Sequence, residues 1–307
     1  MGGGRVLARA SVLVGVEAVA GTYLAPTEVL KIESAVMPTA EMDVVETPNF
    51  SFYGGMKDST VIADWAVGKL DITTSLYKSL AYSQTLLEIC NLKKTAVTLP
   101  FVGFAFTPNT HATTTASIDI VLPDRKFKYQ GAKSSFKLSG KVGDKVNVSF
   151  GIQGSYVDRV IAPQTITDVP SDELMIIRRI GGMSINGIEI NMSEFEFDMG
   201  STINQEKFTN VGAFNISDFS PKLTIKTRLE DGESDGFDEL LSGASMAFVA
   251  DLKDAAGNVI WRLSVPKAKI TKQPDFADGN GIYVISREYN ALATTGDDNF
   301  TLYHFTH

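Results

Sequence analysis

The chain has 307 residues, of which 44% are hydrophobic and 21% charged, and its formal net charge is −8. These values argue against wholesale disorder and against a membrane protein, and a chain of this length can bury a core without disulfides or metals. The acidic balance argues against a general DNA- or RNA-binding protein, because phosphate neutralisation requires a basic surplus. The single cysteine, Cys90, excludes an internal disulfide framework and a zinc ribbon.

Residues 1–30 are interpreted as an N-terminal arm. Arg5 and Arg9 precede an apolar run over residues 11–16, an outline typical of a secretory signal, but Glu17 interrupts that run. No other stretch is apolar and long enough to span a bilayer. We therefore expect an arm that is not cleaved, in a protein with no membrane partner.

Short segments in which apolar and polar residues alternate, bounded by Gly, Pro, Asn and Asp, predict that strands dominate the fold. The clearest example is a hairpin in which residues 136–142 and 145–150 flank a tight Gly-Asp turn at 143–144. The same alternation predicts further strands around Leu70 and Ile72, Leu223 and Ile225, and Ile282 and Val284.

Two helices interrupt this pattern. An apolar stripe between Ser75 and Asn91 predicts one full helix, and residues 237–241 predict a much shorter one. The Thr- and Pro-rich residues 98–118 are expected to form a long loop with no partner in their own half of the chain.

An internal repeat is indicated by two matches at one offset. Residues 69–74 resemble 222–227, and residues 41–44 resemble 194–197, each pair being 153 positions apart. The pattern predicts duplication, with chance similarity between β-rich stretches as the alternative. The predicted organisation is an arm at 1–30, a first β domain at 31–161, a connection at 162–182 and a second β domain at 183–307.

No constellation typical of catalysis or metal binding is present in the sequence. His111, His304 and His307 are expected on the surface, and Cys90 is expected to be a small core residue on the helix stripe. We therefore predict that the protein is not an enzyme and has no cofactor and no metal.

Charge is segregated along the chain. Basic residues cluster between 124 and 145, whereas acidic residues cluster at 189–206 and 230–239. These clusters are either ordinary solvated surface or complementary faces that dock one protomer on the next, head to tail. The candidate assembly residues are Arg125, Lys126, Lys128, Lys133, Lys137 and Lys141 on the basic side, and Glu230, Asp231, Glu233 and Asp235 on the acidic side.

One predicted strand places three carboxylates on one face and apolar side chains on the other. Carboxylates at this spacing repel one another and need water around them. The strand therefore faces either bulk solvent or a wide aqueous channel, whose acidic wall would let nucleic acid slide without sticking. The candidate channel-lining residues are Glu194, Glu196 and Asp198, with Glu41 and Asp43 as their counterparts in the first half.

Residues 14–27 and 185–200 give the chain a family resemblance. The first segment carries Val-Glu-x-x-x-Gly-Thr followed by Pro-Thr, and the second carries paired short strands ending in Glu-Phe-Glu-Phe-Asp. In these features, with a lone helix among strands and an acidic balance, the chain resembles the major tail tube proteins of long-tailed, non-contractile bacteriophages. The resemblance implies two tandem β-sandwich or barrel domains, the first with a flanking α-helix, in a virion protein assembled in the host cytoplasm.

The resemblance also implies how the protein would work. Protomers would form rings that stack into a hollow tube, through which DNA passes non-specifically during ejection. Two fused tube domains would give a trimeric ring that imitates a hexamer, with a true hexamer as the alternative. The other expected partners are the tape measure, terminator and distal tail proteins.

Two functions from other classes remain open at this point. The first is a secreted or surface-displayed two-domain adhesin or pilus-like protein, which would require a working signal peptide. The second is a sugar-active enzyme, which would require an acid/base pair of carboxyl groups in a concave site.

Overall fold

The computed structural model describes eight ranges of the chain, and within them the protein is mainly β. Eighteen strands belong to one hydrogen-bonded network and two more form a separate hairpin. The described ranges are 10–33, 36–46, 59–166, 171–177, 182–208, 211–228, 235–278 and 282–306.

The strands follow the alternating pattern of the sequence, whereas the helical part of the described chain is small. One 3₁₀ turn spans Leu80–Tyr82, and the two α-helices are α1 (Gln84–Ile89) and α2 (Phe237–Ser242). The strands are β1 (Ser11–Val16), β2 (Glu28–Leu30), β3 (Glu41–Glu46), β4 (Ser59–Ser75), β5 (Leu92–Val97), β6 (Gly103–Pro108), β7 (Ala116–Leu122), β8 (Arg125–Lys141), β9 (Asn147–Ile161), β10 (Met183–Ile185), β11 (Ile188–Glu189), β12 (Met192–Asp198), β13 (Ser201–Phe208), β14 (Val211–Phe219), β15 (Lys222–Arg228), β16 (Ser245–Lys253), β17 (Val259–Ile270), β18 (Asp275–Asp278), β19 (Tyr283–Ala291) and β20 (Thr301–Phe305).

Seven antiparallel strands form what we call the central sheet, in the order β4–β9–β8–β12–β15–β19–β18. The pairing of β8 with β12 joins the two halves of the chain, with Phe197 opposite Leu138. Alternate residues of these strands are buried, as in β15, where Leu223 and Ile225 point into the core. The sheet therefore has one apolar and one polar face.

The remaining strands extend the network around the core. β2, β1 and β7 continue from the first half of β8, while β11, β10, β16, β17, β20, β6 and β5 follow one another in pairing order. Their buried side chains join those of the central sheet in one hydrophobic cluster.

Two predictions for the first half of the chain differ from the structure in their bounds. The helix expected over 75–91 is shorter, because β4 continues to Ser75 through pairing with β9, and Ser79 instead caps a 3₁₀ turn before α1. The loop expected over 98–118 contains β6 and the start of β7, and β6 pairs with both β5 and β20. The short helix expected at 237–241 is confirmed as α2.

The N-terminal arm has partners in the same protomer from Ser11 onward. β1 pairs with β7 and β2, and Val12 and Val14 are completely buried. The connection is anchored as well, because Met175 and Ile177 are buried within the described part of 162–182. Residues 11–16 and 28–30 are therefore part of the strand network, while residues 1–9 lie outside the described ranges.

The pairing of the strands agrees with the predicted internal repeat only in part. Thr73 and Lys226, which are 153 positions apart, lie opposite Ser149 and Ser286 in equivalent pairs of strands. The second match fails, because Glu194 lies opposite Lys226 whereas Glu41 lies opposite Val67. β3 instead pairs with the half of β4 that extends beyond β9, so the boundaries of the two domains stay a prediction.

Candidate functional site

The centre of the polar face is the acidic strand β12. Phe195 and Phe197 point into the core, where the ring of Phe197 lies 4.8 Å from that of Phe300. Because side chains alternate along a strand, the carboxylates of this strand project from the opposite face. The predicted separation of apolar and acidic faces is therefore confirmed.

The acids of β12 are paired with lysines from both neighbouring strands. Lys226 of β15 places its Nζ 2.8 Å from an oxygen of Glu194. Lys137 of β8 places its Nζ 2.6 Å from Glu196 and 3.9 Å from Asp198. The hydrogen bond to Glu196 raises the pKa of Lys137, with a smaller contribution from the charge of Asp198. The row is thus a lysine–carboxylate ladder rather than an unbroken acidic wall.

Glu41 and Asp43 lie away from this row, on the part of the first half that extends beyond the central sheet. Glu41 lies 2.5 Å from Lys69, and Asp43 forms an ion pair with Lys207 of β13. Their expected equivalence to Glu194 and Glu196 fails because the β3–β4 register differs, as described above.

Polar side chains continue across the central sheet on both sides of β12. Thr73 of β4 lies 3.4 Å from Ser149 of β9, joined by their hydroxyl groups. On the other side, Lys222 of β15 lies 3.2 Å from Glu288 of β19. The polar face therefore runs over strands from both halves of the chain and carries both signs of charge.

The basic cluster is largely neutralised within the protomer. A guanidinium nitrogen of Arg125 lies 2.8 Å from a carboxylate oxygen of Asp124, and Nζ of Lys126 lies 3.0 Å from a carboxylate oxygen of Asp119. Lys128 stacks over the ring of Tyr23, at 5.4 Å from the centroid. Lys141 is exposed at the end of β8, opposite Glu194.

Lys133 does not belong to a basic surface. Its side chain is buried, and its Nζ donates to Oδ1 of Asn91 at 2.6 Å and to the carbonyl of Ala112 at 3.1 Å. Burial lowers the pKa of Lys133 to about 8. Its assignment to the basic surface, which rests on charge clustering alone, is wrong, and a bulge in β8 shifts the register between Gln130 and Lys133.

The acidic assembly candidates fall in a segment that is only partly described. Glu230, Asp231 and Glu233 lie outside the described residues. Asp235 accepts a hydrogen bond from the backbone N–H of Phe237 at 2.9 Å, which stabilises the start of α2.

Two further predictions concern titratable side chains. His304 is buried, with its ring 4.7 Å from Trp261 and its Nε2 2.9 Å from the carbonyl of Lys78, so the expected surface position is wrong. Burial lowers the pKa of His304.

His111 is exposed as expected, and His307 lies outside the described residues. Cys90 is completely buried, and burial raises its pKa to about 12.

Sequence reasoning missed the role of Glu17. Its carboxylate is buried and accepts hydrogen bonds from the N–H groups of Gly21 and Gly131, at 2.7 and 2.8 Å. The hydroxyls of Thr115 and Ser117 donate to it at 2.6 and 2.8 Å. The Glu-x-x-x-Gly spacing could have indicated the local bond, since Gly21 has a φ of 75° and turns the chain back onto Glu17.

The central sheet ends in two edges without a complete strand partner among the described residues. Beyond the pairing of β3 with residues 59–67, β4 has no regular strand at its side: Thr39 makes two side-chain hydrogen bonds of 2.8 Å to the backbone of Lys69, and the N–H of Glu33 donates to the carbonyl of Thr73 at 3.0 Å. At the other edge, β18 pairs only with β19, and Phe276 is 47% exposed. An open sheet edge is a template for pairing with another chain.

No group of three or more His, Cys, Asp or Glu within the described ranges is placed to hold a metal ion. None of the helices in those ranges is long and apolar enough to cross a membrane. A broad polar sheet face and two edges without a complete strand partner are therefore the candidate functional surfaces of this mainly β protein.

The chain belongs to the phage tail tube protein family, which it matches over residues 8–291. No curated protein matches it significantly. The protein is therefore a structural component of the virion tail, and the resemblance inferred from the sequence is confirmed.

Proposed function

We propose that the protein polymerises into stacked rings that form the tail tube, with the polar face of the central sheet lining the channel through which DNA is ejected. The observation that carries this proposal is the unbroken polar face, which spans seven strands between two open edges. Along β12, β15 and β19 the opposite face is buried in the core, so there the polar face is the side that meets water.

The charges on this face suit a conduit that must not hold DNA. Lysines bind DNA by replacing the cations around phosphates, and this requires that their charge is available. Lys137 and Lys226 are each occupied by a carboxylate of β12. A paired lysine offers a phosphate little net attraction, so the face neither binds DNA tightly nor repels it strongly.

The open edges suit ring closure. β18 of one protomer would pair with the β4 edge of the next, which removes both edges when the ring is complete. The two edges are different surfaces, and such heterologous contacts form closed rings when the rotation allows it. Because each chain already joins its halves through β8 and β12, we propose a trimeric ring that imitates a hexamer.

The position of the protein in the tail determines its other expected partners. The tube would contact the tape measure protein inside it and the terminator and distal tail proteins at its ends, after assembly in the host cytoplasm. These contacts are protein–protein contacts and need no cofactor.

The channel lining can be tested by reversing the charge of β12. We expect Glu194→Lys, Glu196→Lys and Asp198→Lys together to leave tubes visible by negative-stain electron microscopy but to slow DNA ejection from complemented virions, because lysines without partners bind phosphates. Asp238→Lys, on the exposed side of α2, is the matched control. Normal ejection would contradict the lining, and purified protein that forms no rings or tubes would contradict the proposed function. Ring symmetry in the same images distinguishes three protomers from six.

A further inference from the structure

We propose that the protein has a binding site for a monocarboxylate with a short apolar chain, in a cavity that has Arg287 at its inner end. The cavity, which we call the Arg287 cavity, lies between the β10–β11 hairpin, α2 and the start of β16, and is closed by Thr227 of β15 and Arg287 of β19. A single protomer forms all of it. The inference therefore goes beyond the proposed function and does not depend on it.

Arg287 is a buried cation without an ionic partner among the described residues. It lies on the core-facing side of β19, and only 8% of it is exposed. Its Nη2 donates to the hydroxyl of Thr227 at 2.8 Å, but its Nε is buried and has no hydrogen-bond partner in the described ranges. No described carboxylate lies within ion-pair distance of the guanidinium. An unpaired charge in the core is costly, so this arrangement favours an anionic ligand.

The next core-facing side chain of β19 is also incompletely satisfied. The hydroxyl of Tyr289 is buried and finds no hydrogen-bond partner in the described part of the chain. Burial raises the pKa of Tyr289 to about 12, while the nearby charge of Arg287 acts to lower it. Most buried polar groups in native proteins are paired, so two unpaired donors on neighbouring core positions require an explanation.

The Arg287 cavity offers a ligand one charged end and one apolar end. It encloses about 400 Å³, a size typical of small-molecule sites. Ile188 is 72% exposed, whereas Arg287 and Met246 are buried, so the isoleucine lies at the mouth and the guanidinium at the inner end. Ile185 and Ile190 add to the apolar wall. A ligand whose charge reaches Arg287 therefore lays its chain along these side chains.

The charges around the cavity select the class of anion. A planar guanidinium matches the two oxygens of a carboxylate. Glu189 and Glu239 also line the cavity, so they repel a phosphate with two negative charges more strongly than a monoanion. A monocarboxylate is therefore the anion that fits, and either a free acid or a carboxylate of another protein chain would supply this chemistry.

Octanoate is the probe for the first test, because it combines one carboxylate with a short apolar chain. Isothermal titration calorimetry of the full chain should detect saturable binding. Acetate, which lacks the chain, and octanol, which lacks the charge, should each bind at least ~tenfold more weakly. Octyl phosphate should also bind more weakly than octanoate. Absence of octanoate binding, or equal binding of octanol or octyl phosphate, would overturn the proposal.

The second test distinguishes an arginine that binds a ligand from one that only supports the fold. Arg287→Met removes the charge but keeps an unbranched side chain, so the preference for octanoate over octanol should be lost. The unfolding temperature of the ligand-free variant should equal or exceed that of the wild type, because an unpaired buried charge has been removed. A lower unfolding temperature would show that the protein already satisfies this charge, and would contradict the site.

Variants at the mouth of the cavity provide a test that leaves the core unchanged. Ile188 is exposed, so Ile188→Asp and Ile188→Lys should both fold, but only the aspartate should weaken octanoate binding, by ~threefold or more. Leu241→Asp is the control, because Leu241 is 84% exposed on α2 and does not line the cavity. Unchanged octanoate binding by Ile188→Asp would refute the placement of the ligand.

Comparison of dispersed protomers with assembled protein identifies the source of the carboxylate. A site for a free acid should bind octanoate in both preparations. A site that receives a carboxylate from a neighbouring chain should bind octanoate only in dispersed protomers, and octanoate should then slow assembly. Protein that binds octanoate but forms neither rings nor tubes would overturn the proposed function and leave the Arg287 cavity as a binding site.

Discussion

Glu17 and the acidic residues of β12 are all carboxylates in a β-sheet protein, but Glu17 is buried whereas those of β12 lie on an open face. Glu17 is 7% exposed and is satisfied entirely by hydrogen bonds from the backbone and from hydroxyls. Glu194 and Glu196 lie on an open face and are paired with lysines. A buried acid with fixed donors holds the fold together, whereas exposed ion pairs tune the character of a surface.

The strongest test of this comparison is Glu17→Ala. We expect a loss of about 3 kcal/mol or more in the free energy of unfolding, because donors in the loop after β1, at the start of β7 and in β8 lose their acceptor together. Urea unfolding would measure the loss, with Glu41→Ala as the exposed control. A change below about 1 kcal/mol would show that water replaces the carboxylate and that Glu17 does not anchor the arm.

Lys133 tests whether a buried cation behaves like the buried acid. Its pKa is lowered to about 8 in the folded protein, below the 10.5 expected when unfolded. Between these values the unfolded state binds more protons, so stability should rise with pH, by about 2 kcal/mol from roughly pH 7.5 to 9.5.

Lys133→Met is the control for that measurement, because it removes the titrating group but keeps the length of the side chain. Urea unfolding at both pH values should show the rise in the wild type and not in the variant. An equal rise in both proteins would assign the pH dependence to another group.

The smallest change in the free energy of unfolding is expected for the ion pairs on the polar face. Replacing Glu194 and Glu196 with Gln and Asp198 with Asn should cost at most about 1 kcal/mol per ion pair, and less at high salt. Unfolding at low and high salt would measure it. A loss as large as that of Glu17→Ala would mean that the ladder is structural, and the difference between the two kinds of acid would disappear.

Local periodicity predicted what depends on neighbouring residues. Alternation alone placed Phe195 and Phe197 in the core and Glu196 on the opposite face, and turn chemistry located the 136–150 hairpin, where Phe136 pairs with Phe150. These features are fixed by the two-residue period of a strand and by the Gly143 turn.

Features that depend on distant partners could not be predicted in the same way. The charge pattern makes Lys137 a candidate for a contact between protomers, but its partner Glu196 lies on the next strand of the same sheet. Lys133 follows a bulge at Gly131, whose φ is 62°, but its partner Asn91 lies in a distant part of the chain, and His304 is buried only because β20 returns between β6 and β17. The register of β3, and hence the position of Glu41, also depends on tertiary pairing.

The covalent link between β9 and β10 has a consequence for assembly. It tethers β12 to β8 within one molecule, so that contact forms at a high effective concentration and cannot be lost by dilution. In a ring built from such chains, only the contacts between separate molecules depend on how much protein the infected cell has made.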